Sequence, residues 1–238
     1  MTRQDIINGD CLDELKKIAT ESIDLVVTDP PYKVSQNYGG GIDADNLRNV
    51  ASVLRTFPEI SRVLKSGKMF ACFYDNRILP FLFEAVKGTD LIYRKSIYLY
   101  RRWGSAHRWM GWMQTTDPLC FFVKGTDKPF YNNEIVADVK HDVYVKDQPE
   151  EDNTGHPAQK PLIMIEDVIK WCSQDGDLVL DPYSGSGTVA VACQNTNRNF
   201  IGFEIEKKYI EIINNRLSAN PSKPKQVSLL DTFGVVPN

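Results

Sequence analysis

No run of apolar residues in this 238-residue chain approaches the length needed to cross a bilayer, and the opening residues Met1 to Asp5 carry no secretory pattern. The five cysteines, Cys11, Cys72, Cys120, Cys172 and Cys193, are scattered, without the paired short spacings of a zinc site or a disulfide framework. No metal site is expected, and a reducing cytoplasm is the compartment that fits. Basic residues are not in excess either. Lys and Arg number 28 against 31 Asp and Glu, a formal charge of −3, so any surface for a polyanion has to be local. No internal repeat is found. The length suits one well-buried core and is short for two.

Short apolar runs alternate with amphipathic segments, the pattern of an α/β fold. Strands are expected at Ile23–Thr28, Lys68–Tyr74, Ile92–Tyr100, Leu119–Val123, Leu178–Leu180 and Asn199–Ile205. Helices are expected from Asp10 to about Thr20, over Asn46–Leu64 with a kink or break near Pro58, and over Leu79–Lys87, Pro161–Cys172, Thr188–Gln194 and Glu206–Ser218. Residues 33–45, with Gly39-Gly40-Gly41, read as a flexible insertion, and 147–155 as a solvated connector. The Pro-, Ser- and Lys-rich tail from Ala219 lies outside the expected core.

Leu178-Val179-Leu180-Asp181-Pro182-Tyr183-Ser184-Gly185-Ser186-Gly187-Thr188 reads as a buried strand, a glycine-rich turn and a helix start. Glycines let the backbone approach a ligand where a Cβ would clash, and the helix N-terminus offers N–H groups to an anionic group. The third glycine of a dinucleotide fingerprint is absent, and so is a Gly-Lys-Ser/Thr phosphate loop. The following strand ends in Gly202-Phe203-Glu204. Glu204 is either a solvated loop acid or an acceptor for both hydroxyls of a ribose. The glycine turn upstream favours the second reading.

The sharpest signal is Asp29-Pro30-Pro31-Tyr32, at the end of the run Ile23–Thr28. Two prolines cannot continue a strand ladder and hold the chain extended. One carboxylate, one prolyl carbonyl and one aromatic face then share a small space. That set suits the exocyclic amine of adenine or cytosine, a poor nucleophile because its lone pair is delocalised into the ring. Asp29 and the Pro30 carbonyl each accept one amino N–H, and the gain grows as positive charge develops on nitrogen. Tyr32 stacks on the base, which has to be turned out of a duplex to be reached. The competing reading is an Asp-Pro-Pro turn that merely caps a strand.

Together these segments resemble the amino-methyltransferases of DNA, in the β-type order that places the Asp-Pro-Pro-Tyr half before the cofactor half. His156-Pro157-Ala158-Gln159-Lys160-Pro161 is similar to the family's His-Pro-Thr-Gln-Lys-Pro motif, and Asn8-Gly9-Asp10-Cys11 to its Gly-Asp motif. The resemblance implies a doubly wound, mixed but mostly parallel sheet of the S-adenosylmethionine-dependent methyltransferase type. It implies S-adenosylmethionine as cofactor and double-stranded DNA as partner. Asp10 would bond the cofactor's adenine amino group, with the Cys11 backbone near its ring. Lys160 would contact the methionine part, and Asp181, Pro182, Tyr183, Ser184, Gly185, Ser186, Gly187 and Thr188 would flank the methionine and the reaction centre. Glu204 would hold the ribose. Asp at position 29 points to adenine N6, since cytosine-N4 members usually carry Ser there. One domain is expected over residues 1–218, with a target-recognition segment at about 104–155 and a flexible tail over 219–238.

From Leu91 to Thr116 there is no acidic residue, whereas Arg94, Lys95, Arg101, Arg102, His107 and Arg108 are interleaved with Trp103, Trp109 and Trp112. Arg101, Arg102, Trp103, His107 and Arg108 are the candidate DNA contacts; the alternative is a solvated basic face over inward tryptophans. The short recognition segment is compatible with a homodimer. Gln226-Val227-Ser228-Leu229-Leu230 resembles the short peptides that dock on replication sliding clamps. Cytosine-N4 methylation is the nearest rival activity. A DNA-binding protein without turnover is the rival of another class, and the intact Asp29–Tyr32 and Asp181–Thr188 sets count against it. Methylation of a protein glutamine is disfavoured by Asp29, where such enzymes have Asn, and by the motif order.

Overall fold

The computed structural model describes residues 2–31, 50–101, 108–109, 112–113, 115–125, 128–132, 141–146 and 159–219. Tyr32, the insertion 33–45, Arg102, Trp103, His107, the connector 147–155, His156 to Ala158 and the clamp-like residues 226–230 lie outside them. Only the backbone of Arg108 is described.

Apart from a helical stretch over 50–54, the strands and α-helices of the described residues follow one another as β1 (Gln4–Asn8), α1 (Cys11–Leu15), β2 (Ile23–Thr28), α2 (Phe57–Val63), β3 (Leu64–Phe73), α3 (Leu79–Val86), β4 (Leu91–Arg101), β5 (Arg108–Trp109), β6 (Trp112–Met113), β7 (Thr116–Lys124), β8 (Val143–Lys146), α4 (Leu162–Cys172), β9 (Leu178–Asp181), α5 (Thr188–Asn195), β10 (Asn199–Glu204) and α6 (Lys207–Ala219). Eight strands form one sheet in the order β1-β10-β9-β2-β3-β7-β4-β8, and β5 and β6 pair separately. From β1 to β3 every pairing is parallel; β7 runs antiparallel to both β3 and β4, and β8 is parallel to β4. The sheet is mixed and mostly parallel, as expected.

Every residue of β2 is buried, which is how a parallel strand covered on both faces reads. One face of the sheet carries α1, α2 and α3 through Leu15, Phe57, Ile60 and Leu82, packed on Val26, Phe70 and Phe122. Phe57 meets Phe70 edge-on with ring centroids 5.2 Å apart, and Phe70 stacks on Phe122 at 5.7 Å. The other face carries α4, α5 and α6 through Ile165, Ile169, Ala190 and Ile213, packed on Leu25, Val27, Phe73 and Val179. Helices on both faces make the fold doubly wound.

The expected helix over 46–64 is broken. Residues 50–54 are helical, Arg55 and Thr56 form a turn, and α2 begins at Phe57 with Pro58 at its start, where a missing N–H costs nothing. It ends at Val63, and β3 starts at Leu64, the last residue of the expected helix, four residues before the expected strand start at Lys68. The first helix is also shorter than expected, ending at Leu15. β1 and β8, both unforeseen, form the two outer edges of the sheet. Among the described residues no helix is long and apolar enough to cross a membrane.

Candidate active site

β2 and β9 are neighbours at the centre of the sheet, with Leu25 opposite Val179 and Val26 opposite Leu180. From β2 the chain moves outward to β3, and from β9 it moves the opposite way to β10. A crevice opens beyond the carboxyl ends of two strands that part in this manner. Asp29 lies directly after β2 and Asp181 ends β9, so the two distant motifs meet there.

Thr28 joins them. Its hydroxyl donates to Oδ1 of Asp181 at 2.7 Å, and the same oxygen accepts the Tyr183 N–H at 3.0 Å. The turn that follows is fixed by the Gly187 N–H donating to the Ser184 carbonyl at 2.7 Å and the Ser184 N–H to the Phe203 carbonyl at 2.9 Å. From α6, Arg216 donates to the Ser186 carbonyl at 2.5 Å. Gly187, at φ 81°, precedes α5. A Cβ there would lie 2.7 Å from the side chain of Ile213, so neither the dihedral nor the space suits another residue.

Glu204 ends β10 with both carboxylate oxygens held. Oε2 accepts the Gly185 N–H and Oε1 the Glu206 N–H, each at 2.8 Å. The Glu204 carbonyl in turn accepts the Gly9 N–H at 3.1 Å and the Asn8 side-chain amide at 2.8 Å. These bonds bring the end of β1, and Asp10 with it, beside Glu204. Asp10 caps α1 by accepting the Leu12 N–H at 2.8 Å. The Tyr183 hydroxyl, which needs a partner when buried, has Cys11 and Thr56. Burial, with Cys11 beside it, pushes that hydroxyl well above the ordinary tyrosine range.

Asp10, Cys11, Asp29, Pro30, Pro31, Lys160, Pro182, Tyr183, Gly185 and Glu204 line one cleft of about 740 Å³, within the size range of small-molecule sites. Asp181, Ser184, Ser186 and Thr188 border an adjoining recess that Asp29, Lys160 and Gly185 share. Two of the residues assigned from the sequence have partners within the protein. Lys160, expected on a cofactor, forms an ion pair with Oδ2 of Asp29. Arg101, expected on phosphates, forms an ion pair with Asp117 on the cleft wall, because its position at the end of β4 points it across the strand pair to β7. Burial lowers the Arg101 pKa and the nearby Asp29 charge offsets this. Asp117, Phe73 and Tyr74 also line the cleft and were not singled out from the sequence; Asp117-Pro118, a carboxylate and a proline at the start of β7, was the available signal. Burial raises the Tyr74 hydroxyl to about 12.

Burial, reinforced by Asp29 and Glu204, pushes Asp181 from 3.8 up to about 7, against the bonds from Thr28 and Tyr183. The folded protein therefore keeps a proton that the unfolded chain has already released, and stability falls as pH rises from about 4 through about 7. In Asp181→Asn this loss disappears, while an acceptor for Thr28 and Tyr183 remains. The melting temperature of the wild-type protein is expected to drop more between about pH 5 and about pH 8 than that of the variant. Superimposable profiles in a thermal melt series would refute this account of Asp181.

The profile of a family described as DNA methylase, covering N6 and N4 amino-methyltransferases, matches residues 23–215. The DNA adenine methyltransferase YhdJ of Escherichia coli (strain K12) is 30% identical, over 87% of this chain and 80% of its own length. Among solved structures, an M1.HpyAVI–SAM complex superposes with a TM-score of 0.70 at 24% identity, over 90% of this chain and 98% of that one. The cytosine-N4-specific PvuII DNA methyltransferase superposes with a TM-score of 0.75 at 18% identity, over 96% and 89%. The sheet order, the crevice where the two motifs meet and these likenesses lead to one conclusion: the chain belongs to the N6/N4 DNA methylase family.

Proposed function

We propose that this DNA methyltransferase transfers a methyl group from S-adenosylmethionine to the N6 amine of an adenine turned out of double-stranded DNA. The observation that carries the reading is the convergence of Asp29-Pro30-Pro31 with the 181–188 turn and Glu204 at one crevice. The cofactor, when bound, supplies an electrophilic methyl group on a cationic sulfur. The residues present fit such a group. Asp10, Asp29 and Glu204 make the crevice acidic, which suits a molecule carrying a sulfonium and an ammonium charge. Glu204, pinned by two N–H groups, keeps lone pairs for a ribose, since an ionised carboxylate offers about four acceptor sites. Asp10 takes the adenine end and the 181–188 turn the methionine end.

On the opposite wall, Asp29 and the Pro30 carbonyl accept the two N–H bonds of the target amine and direct its lone pair at the methyl carbon. These acceptors are already in place, so they stabilise the positive charge growing on nitrogen without reorganising. Adenine is favoured over cytosine by the aspartate at position 29 and by the likeness to a relative named as an adenine methyltransferase. The test is chemical. DNA incubated with the protein and cofactor, digested to nucleosides and weighed, is expected to contain N6-methyldeoxyadenosine. N4-methyldeoxycytidine instead would overturn the choice of base, and unmodified DNA would overturn the site assignment.

A further inference from the structure

Lys160 reaches Asp29 across 131 positions of sequence, and its ammonium contacts Oδ2 of that carboxylate. The same ammonium lies over the Phe73 ring, 4.8 Å from its centroid. With the lysine side chain only 12% exposed, both the head and the stem are confined. The next residue, Pro161, caps α4, which is anchored in the core through Met164 and Ile165. A lysine is ordinarily a mobile point charge on a flexible stem; here its backbone, stem and head are all held. Arg101, another cation lining the cleft, pairs with Asp117 and feels the Asp29 charge without an ion pair to it among the described contacts.

The reacting amine needs a carboxylate oxygen in one place. A lone carboxylate can present either oxygen over a range of torsions, and a misplacement of about 1 Å in a reacting geometry costs on the order of 10²-fold in rate. Asp29 also interacts electrostatically with a further acid, Asp181, and repulsion from its charged form would favour rotamers that swing Asp29 away. An ammonium fixed on one oxygen removes both problems.

We propose that Lys160 is a positioning residue that acts through Asp29: it holds Oδ2, supplies the counter-charge to the acid-rich crevice, and leaves Oδ1 as the acceptor for one N–H of the substrate amine. This deepens the proposed function and rests on the reading of Asp29 as amine acceptor. It replaces the assignment of Lys160 to the cofactor. Because Lys160 belongs to the segment leading into α4 and Asp29 to the end of β2, the pair also ties the two halves of the crevice together.

The experiment uses the full chain with S-adenosylmethionine and DNA. Lys160→Met is expected to lower kcat by on the order of 10²-fold, with the cofactor Kd, by titration calorimetry, within about threefold, well under the tenfold that 1.4 kcal/mol represents. Lys160→Arg, which keeps a cation able to bond a carboxylate, is expected to restore most of the loss. In an Asp29→Asn background, Lys160→Met is expected to cost little more, since residues acting as a unit do not add. Lys160→Gln replaces the Met variant if that one does not fold. A cofactor Kd that rises in step with the fall in kcat, or losses that multiply in the double variant, would overturn the proposal. Wild-type turnover in Asp29→Asn alone would instead sink the reading of Asp29, which is a separate result.

Discussion

Asp29→Asn lowers the single-turnover rate of methyl transfer by about 10³-fold, by analogy with loss of one pre-placed transition-state partner, while cofactor affinity stays within a few-fold. The expectation follows from charge. The amine begins neutral and becomes cationic as the nitrogen–carbon bond forms, so a carboxylate interacts more strongly with the transition state than with the ground state. A neutral carboxamide loses most of that difference. Its NH₂ group also points a donor at a donor, whether toward Lys160 or toward the amine. Cofactor affinity is spared because Glu204 and the 181–188 turn are held by their own hydrogen bonds, none of which passes through Asp29. Rapid-quench measurement with a labelled methyl donor gives the rate, and a loss of less than tenfold would remove Asp29 from the chemistry.

The second large effect is on stability. Gly187→Ala is expected to cost about 3 kcal/mol, combining a left-handed backbone penalty with the strain of overpacking against Ile213. For a chain of this size that is a fall of about 6–12 °C in melting temperature. Gly88 supplies the control. It has nearly the same φ, 80°, but a Cβ there meets nothing within 4 Å, so Gly88→Ala is expected to cost about 1 kcal/mol, the backbone share alone. Equal losses at the two positions would show that the packing of α6 against the turn is unimportant. The Gly187 variant is also expected to bind cofactor poorly, because the displaced turn carries the Gly185 N–H away from Glu204.

The interior of the fold and the location of the crevice were legible because their signals are dense. The run Ile23–Thr28 has no polar face to solvent, and two prolines end it abruptly. The glycine turn announces itself by composition. β1 and β8 were not legible for a shared reason. Each is an edge strand with one neighbour, and Gln4-Asp5-Ile6-Ile7-Asn8 is only partly buried along its length, so no strong apolar run marks it. The early start of β3 was not legible, because Lys65-Ser66-Gly67 carries no apolar alternation and only pairing with β2, with Ile23 opposite Leu64, makes it strand. The partners of Lys160 and Arg101 were illegible for a different reason. A motif gives the identity of a long basic side chain, whereas its partner is chosen by which strand ends the sheet brings alongside, here Asp29 and Asp117.

The strand order carries a consequence for how the protein is made. Of the strands in this sheet β1 and β2 are made before the others, yet they are separated by β10 and β9, which are made after the rest. A chain interrupted before residue 178 therefore has a gap two strands wide at its centre, with the exposed edge of β2 open to wrong pairings. The turn over 181–188, proposed to hold the methyl donor, lies within that missing insert. The central sheet is thus completed only when β9 and β10 are made, and a chain cut before them would be a candidate for aggregation.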